Sequence, residues 1–352
     1  MSRHEVALEH SEAARARALP LIQRFGWNAT AFQTLHAGFS YHFPFDDACI
    51  AYADTGQAWV AAGAPIAPEE RLGSALSAFV AAARSAGRRA CFFGAEARLL
   101  RAAPGLVSAL GIGEQPVWDP QRWQGKLQAH ASLRAQVRRA HNKQVRVREV
   151  SAAELLRGHV RLDVDLVRRR WHARRKLAPF EFLVRVDPIR LAAHSRCFAA
   201  EAHGRLVGFA SALPVPARDG WFIADLLRDP TAPNGTSEAL VDFAMRQLAL
   251  TRCEWLTLGL APLAGDVAAP LRFARSRARA LYDFEGLRAF KAKLRPDSWV
   301  PIYLLYPSQQ GPTRSVFDAL TAFTGDGWLR FGLQSALHRA ALPLNAPRPQ
   351  IV

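Results

Sequence analysis

One order of elements occurs twice in this 352-residue chain, roughly 150 residues apart, and that duplication limits the fold more than any other feature. In the first copy Ala48-Cys49-Ile50-Ala51-Tyr52 reads as a strand, Asp54-Thr55-Gly56 as a turn and Trp59-Val60-Ala61-Ala62 as the returning strand. Glu69-Glu70 then opens a helix whose Leu72, Ala75, Leu76, Phe79, Val80 and Ala83 fall on one face. Gly87 closes it, and Ala90-Cys91-Phe92-Phe93 is the next strand. The second copy runs through the strand Cys197–Ala200, the turn His203-Gly204, the strand Leu206–Ala210 and a further strand Trp221–Asp225. The loop Pro230–Gly235 leads into a helix with Leu240, Phe243, Ala244 and Leu248 on one face, and Trp255–Gly259 closes the unit. Hairpin, helix, strand, twice over, predicts two related α/β domains of mixed sheet. The division is expected at 1–150 and 151–310, with a helical tail over 311–352 centred on Val316–Phe323.

Half of the residues are hydrophobic, enough for a sizeable core, which excludes a disordered or collagen-like chain. The formal net charge of +16 bears on association and favours anionic partners. Cys49, Cys91, Cys197 and Cys253 are far apart and form no C-x-x-C pair, so neither a zinc site nor a disulfide framework is expected, and no metal. The run Glu9–Arg17 is an amphipathic helix and lacks the apolar core of a signal peptide. Apolar windows such as Ala75–Ala83 are interrupted by arginines before they could span a bilayer. A cytoplasmic protein is expected, peripheral at most to the inner face of the membrane.

Nucleophile elbow, zinc helix, Walker loop and Rossmann fingerprint are all missing. His42-Phe43-Pro44-Phe45-Asp46 has an H-x-x-x-D spacing, but its aromatic neighbours read better as packing. Asp163 and Asp165 fall on different sides of a helix and share no site. More informative is Asp229-Pro230-Thr231-Ala232-Pro233-Asn234-Gly235-Thr236, an irregular turn at a helix start, where free N–H groups favour an anion. The same residues also read as an ordinary capped helix. Asp225 and Arg228, three apart at the preceding strand's end, are expected to open into one cleft, unless they form a structural ion pair. Lys291 and Lys293 are two of only five lysines in an arginine-rich chain. A compact ammonium has a tunable pKa and binds phosphate as a point charge. Read as a strand, their segment puts both on one face, in a site or at a solvated edge. Between the two copies, from Leu133 to Lys176, lies a basic stretch read as helical, carrying Arg138, Arg139, Arg146, Arg148, Arg174 and Arg175. It reads as a solvated face or as a positive surface for phosphates. Trp171 within it is a stacking platform or a core anchor.

These motifs resemble a family. Asp225-Leu226-Leu227-Arg228 with Ala232-Pro233-Asn234-Gly235 is similar to the "D-L-M-R … A-P-N-G" run of the phosphatidylglycerol lysyl- and alanyltransferase catalytic domain. Leu258-Gly259-Leu260-Ala261-Pro262-Leu263 resembles its "S-L-G-x-A-P-L". Phe284–Lys293, with Pro296, Trp299 and Tyr303, resembles "F-x-G-L-R-x-F-K-x-K-F-x-P-x-W-x-x-x-Y". Ala51-Tyr52 and Gly63-Ala64-Pro65-Ile66 echo "A-Y" and "G-D-P-I", so the likeness runs from Phe39 to Tyr306.

The resemblance implies a tandem of two acetyltransferase-like (GNAT-type) domains. It further implies transfer of an aminoacyl group from aminoacyl-tRNA to a hydroxyl, that of phosphatidylglycerol or another lipid, with no cofactor because the tRNA supplies the activated ester. Its motif positions fall on Asp225, Arg228, Lys291 and Lys293 as catalytic residues. Asn234, Gly235, Tyr282, Arg138, Arg139, Arg174 and Arg175 are expected to bind substrate. In this scheme Asp225 takes the acceptor's proton, Arg228 holds a phosphate, and the helix start with one lysine meets the oxyanion. The chain departs from the family where "F-S-L-G" is Phe180-Glu181-Phe182-Leu183 and where the "G-D-P" acid is Ala64. It shows no membrane-embedded half of the bifunctional kind, so translocation of product is not expected. An acyl-CoA-dependent N-acyltransferase shares the fold, but the glycine-rich basic run before its pyrophosphate helix is missing. A non-catalytic binder of RNA or anionic membranes would explain the charge without the two residue clusters.

Overall fold

The computed structural model describes residues 3–175, 182–265 and 283–324. The first half comprises α1 (Arg3–Phe25), β1 (Ser40–Phe45), β2 (Ala48–Asp54), β3 (Ala58–Ala62), α2 (Leu72–Ser85), β4 (Arg89–Ala95), α3 (Ala97–Ala102) and β5 (Val107–Trp118). There follow α4 (Trp123–Ala129), α5 (Ala131–Asn142), β6 (Arg146–Val150), α6 (Ala152–Arg157) and α7 (Val160–His172). The second half comprises β7 (Arg196–Ala202), β8 (Arg205–Val215), β9 (Gly220–Arg228), α8 (Thr236–Ala249), β10 (Trp255–Thr257) and β11 (Ala261–Pro262). It ends with α9 (Phe284–Lys293), β12 (Ser298–Pro307) and α10 (Pro312–Thr324).

The duplicated order appears as two units of three antiparallel strands, a helix and a strand that returns parallel, β3 with β4 and β9 with β10. Parallel return requires a crossover, which α2 and α8 supply. Local chemistry sets the turns. His203 and Gly204 both have positive φ (51° and 72°), the geometry that matches the twist of a two-residue hairpin. Gly87 (φ 69°) ends α2, with Arg88 N–H reaching back to the Ala83 carbonyl. Leu72, Ala75, Leu76, Phe79 and Ala83 are the buried face of α2, as their spacing predicts.

The two units share one twelve-stranded sheet, ordered β1-β2-β3-β4-β12-β5-β10-β9-β8-β7-β6 with β11 on β5. Its middle is interleaved. β5 of the first half pairs with β10, and β12 of the second half pairs with both β4 and β5. The expected boundary at 150 falls after α5 and β6, which pack on α8 and β7. The middle stretch is not wholly helical: Arg146–Val150 is an edge strand, because its Arg-Val-Arg-Glu-Val alternation suits a two-residue period. The Phe284–Lys293 segment is likewise a helix and not a strand, started by the Asp283 carboxylate accepting from Gly286 N–H. His42 sits among Trp59 and Phe79, as packing. In place of the family's "F-S-L-G", Phe182 packs against Phe39 and Phe323 in an apolar cluster, while Phe180 and Glu181 lie outside the described residues.

Candidate active site

β9 is paired with β8 along its length, but with β10 only through Gly220, Trp221 and Phe222. Past Phe222 the two parallel strands part, and the stretch from Ile223 to Arg228 borders an opening in the sheet. A bulge at Ala224 shifts the alternation so that Asp225 lies opposite Ser211. Asp225 and Leu227 then face the layer of α7, where Leu227 joins Phe209, Val164 and Val167. Leu226 and Arg228 face the layer of α8. The shared cleft expected for Asp225 and Arg228 is thus corrected: three residues apart on a strand means opposite faces.

Asp225 is buried and lines a small cavity with Ser211, Gln33, His36, Arg185, Asp187 and Ser195. Ser211 Oγ donates to its Oδ2. Burial pushes the carboxyl up to about 6, nearby Asp187 pushes the same way, and the Ser211 bond offsets part of the rise. His36, brought in from the first half, is also buried, and its Nδ1 has no hydrogen-bond partner among the described residues. Burial drives its pKa down to about 4, against the pull of Asp187, so at neutral pH it is an uncharged imidazole. Sequence reading missed His36. Its signal is weak, a lone histidine in an apolar stretch nearly two hundred positions from Asp225, with no local pattern to pair the two.

At the end of β9, Arg228 Nη2 donates to the Ala232 carbonyl (2.8 Å) and to Asn234 Oδ1 (3.0 Å). Burial lowers its pKa, and Glu238 in the first turn of α8 counters this. The loop is pinned from behind by Asp229, fully buried, which accepts from Thr231 N–H (2.8 Å), Thr231 Oγ1 (2.6 Å) and Arg170 of α7 (3.1 Å). Gly235 has φ 95°, and a Cβ there would run into the Gln136 carbonyl of α5. One side of the α8 start is therefore filled by α5, and Gly235 serves close packing. Arg139, which reaches Gln136 Oε1 (3.4 Å), is exposed next to this contact, while Arg138 is exposed on the opposite side of α5.

The two lysines separate. Lys291 is buried and its Nζ donates to the carbonyls of Leu258 (2.9 Å), Gly259 (2.8 Å) and Leu260 (2.9 Å). Burial pushes its pKa down to about 7, while three accepting carbonyls favour the charged form. All three protons are engaged, so Lys291 braces the turn that bounds the opening opposite β9; Gly259 (φ 71°) there lies against the Phe222 ring. Lys293 is exposed: on a helix, two residues apart is not one face, which corrects the strand reading. Arg288 of the same helix meets Glu114 of β5 (2.8 Å), so α9 clamps the turn to the sheet. Arg175 stacks on Trp171 (3.6 Å to the ring centroid), and Trp171 packs partly against the core beneath α7. Arg174 is half-buried at the end of that helix. Tyr282 lies outside the described residues. Among the described residues no His, Cys, Asp and Glu group could hold a metal ion, and all four cysteines are buried thiols.

Paired units of hairpin, crossover helix and parallel strand, with the parallel pair of the second parting past Phe222, define a tandem acetyltransferase-like fold. Two solved structures share it. The C-terminal domain of a putative lysylphosphatidylglycerol synthetase from Agrobacterium fabrum matches at TM-score 0.77 and 24% identity, covering 90% of this chain and 98% of that one. L-PGS from Bacillus licheniformis matches at TM-score 0.74 and 19% identity, covering 91% and 97%. Residues 20–306 match the family described as "Phosphatidylglycerol lysyltransferase, C-terminal", and the chain belongs to that family. Phosphatidylglycerol lysyltransferase of Bacillus subtilis (strain 168) is 31% identical over 140 residues, 37% of this chain and 16% of that protein's length.

Proposed function

We propose that the protein transfers an aminoacyl group from aminoacyl-tRNA to a hydroxyl acceptor, phosphatidylglycerol or another lipid, at the inner face of the membrane. The observation that carries the reading is Asp225. It is a buried carboxyl pushed up to about 6, at a strand opening, with an uncharged histidine lining the same cavity. A carboxylate tuned toward neutrality suits a general base at physiological pH.

In this reading the acceptor hydroxyl enters from the Asp225 side and gives its proton to the carboxylate as its oxygen attacks the ester carbonyl. The tetrahedral oxyanion collapses by breaking the bond to the tRNA ribose oxygen. That oxygen leaves with the proton, and the new ester remains on the acceptor. Arg228 and Asn234, on the other face of the strand, hold a phosphate of the tRNA end. Arg139 flanks that approach, and Arg138, Arg174 and Arg175 add positive charge for the tRNA backbone, so affinity falls as salt rises. Lys291 positions the Leu258–Leu260 turn and is not itself the oxyanion donor, because its protons are already donated. Membership of the family supports the acceptor class.

The test is incubation of the purified protein with total tRNA charged with a labelled amino-acid mixture, with and without phosphatidylglycerol vesicles. Label moving into lipid is the expected result and identifies the amino acid. Survival of the tRNA ester in every mixture, with crude soluble extract included as an acceptor source, would overturn the proposal and advance an acyl-CoA donor.

A further inference from the structure

α7 is amphipathic, and its outer face is unusual. Val160, Val164 and Val167 are buried against Phe209 and Leu227, as a helix covering a sheet requires. On the opposite side Leu162 is 70% exposed and Leu166, one turn on, 40%; Leu156 of the adjoining α6 is 40% exposed. A scattered exposed leucine needs no explanation, but three on two touching helices do. The surround is basic. Arg157, Arg161 and Arg169 are exposed beside these leucines. Asp165, the acid nearest the patch, is held by both Arg168 and Arg169. Glu154 is held by Arg148, Asp163 is half-buried, and Arg170 turns inward to Asp229.

We infer that the outer face of α6 and α7 docks on an anionic lipid bilayer, with Leu156, Leu162 and Leu166 entering the headgroup–acyl boundary and Arg157, Arg161 and Arg169 meeting lipid phosphates. Leucine centres within a ring of arginines are the composition of a helix lying in a membrane interface. A polyanion such as RNA would engage the arginines and leave the leucines in water. Placement supports the same occupant. α7 covers the sheet face into which Asp225 points, and Val186 and Ile189, in the segment that supplies Arg185 and Asp187 to the cavity, pack on the same cluster. Arg170 ties the helix to Asp229, next to Arg228. A bilayer against α7 therefore lies beside the Asp225 cavity. The inference rests on the lipid reading above for its purpose, but docking itself is measured apart from transfer.

Vesicles of phosphatidylcholine alone and of phosphatidylcholine mixed with phosphatidylserine separate the two, since phosphatidylserine supplies negative charge without a glycerol headgroup. In flotation the full chain should bind the anionic vesicles, and raised salt should weaken the binding. Leu162→Glu with Leu166→Glu should lower the partition about tenfold or more, while Leu250→Glu, at a leucine 78% exposed elsewhere, leaves it unchanged. Thermal unfolding of both variants should stay close to the parent, because Leu162, Leu166 and Leu250 are all exposed and belong to no buried cluster among the described residues. Arg157→Glu with Arg161→Glu should lower binding to anionic vesicles only. Unchanged flotation of the leucine variant, equal binding to uncharged vesicles, or loss of a dimer or of RNA binding with flotation intact would each overturn the inference. Docking without aminoacyl transfer would overturn the proposed function alone.

Discussion

Replacement of Asp225 by asparagine separates the group's effect on folding from its effect on chemistry. Its carboxyl is displaced from 3.8 to about 6, chiefly by burial. The native state therefore holds this proton more tightly than the unfolded chain, a difference worth about 3 kcal/mol. For a raised pKa that stabilisation is fully present below the unfolded value and is lost as pH rises through the folded one. Measured against the neutral amide, the native protein should be comparatively weakest at pH 7 and above. Asparagine keeps an oxygen to accept from Ser211, and any cost of its unplaced N–H groups is the same at every pH. Urea unfolding of parent and Asp225→Asn from pH ~4 to ~8 should show the difference shifting in the variant's favour by about 2–3 kcal/mol, most of it between pH ~4 and ~6, the interval between the unfolded and folded values. A difference flat with pH would refute the buried, raised carboxyl. In the transfer assay the same variant should lose about 10²–10⁴ of turnover, and the parent's kcat/KM should rise through pH ~6 as the base ionises. A side chain that weakens the fold at working pH, yet whose removal abolishes turnover, is there for chemistry.

Lys291→Met keeps length and volume but leaves the carbonyls of Leu258, Gly259 and Leu260 without their donor. Thermal or urea unfolding should show a loss of about 3 kcal/mol or more. Gly235→Ala places a Cβ against α5 at a positive φ and should cost about 2 kcal/mol or more, again read by unfolding. Asp318 of α10 is nearly fully buried and takes two bonds from Arg89 of β4 (2.6 and 2.8 Å). Asp318→Ala should cost about 1–3 kcal/mol by removing both bonds, less than for a fully buried pair because Arg89 is partly exposed and regains water.

The duplicated architecture was legible because each copy switches from a two-residue to a helical period at a marked turn, and those local patterns survive in the fold. The hairpins at Asp54–Gly56 and His203-Gly204 and the buried face of α2 follow directly. Charge misled where it masked periodicity. Arg146 and Arg148 made Arg146–Val150 look like more basic helix, although arginine and valine alternate there. At α9, the two-residue spacing of Lys291 and Lys293 suggested a strand. The better signal was Asp283 three residues before Gly286, a helix start, followed by Phe290 and Leu294 one turn apart and both buried. Asp225 and Arg228 could be picked out by residue type, but the faces they occupy depend on a bulge at Ala224 that composition does not announce.

The interleaved centre of the sheet explains why the cavity draws on both halves. Had each unit closed its own sheet, β4 and β10 would end as open edges where a second acetyltransferase-like unit has to be met by other means. Instead β12 crosses back to lie between β4 and β5, and β5 carries the pairing on to β10. Backbone hydrogen bonds then fix the relative placement of the units, and they do so at the strands that border the opening. The turn braced by Lys291 leads into β11, which pairs with β5. The segment bearing Gln33 and His36 runs just ahead of β1, in the first half, yet it lines the cavity opposite Ser211 and Asp225 of the second. A duplicated fold with separate sheets would have offered two openings of like construction. Sharing one sheet lets the first unit supply a wall, and an uncharged imidazole, to the cavity at Asp225 of the second.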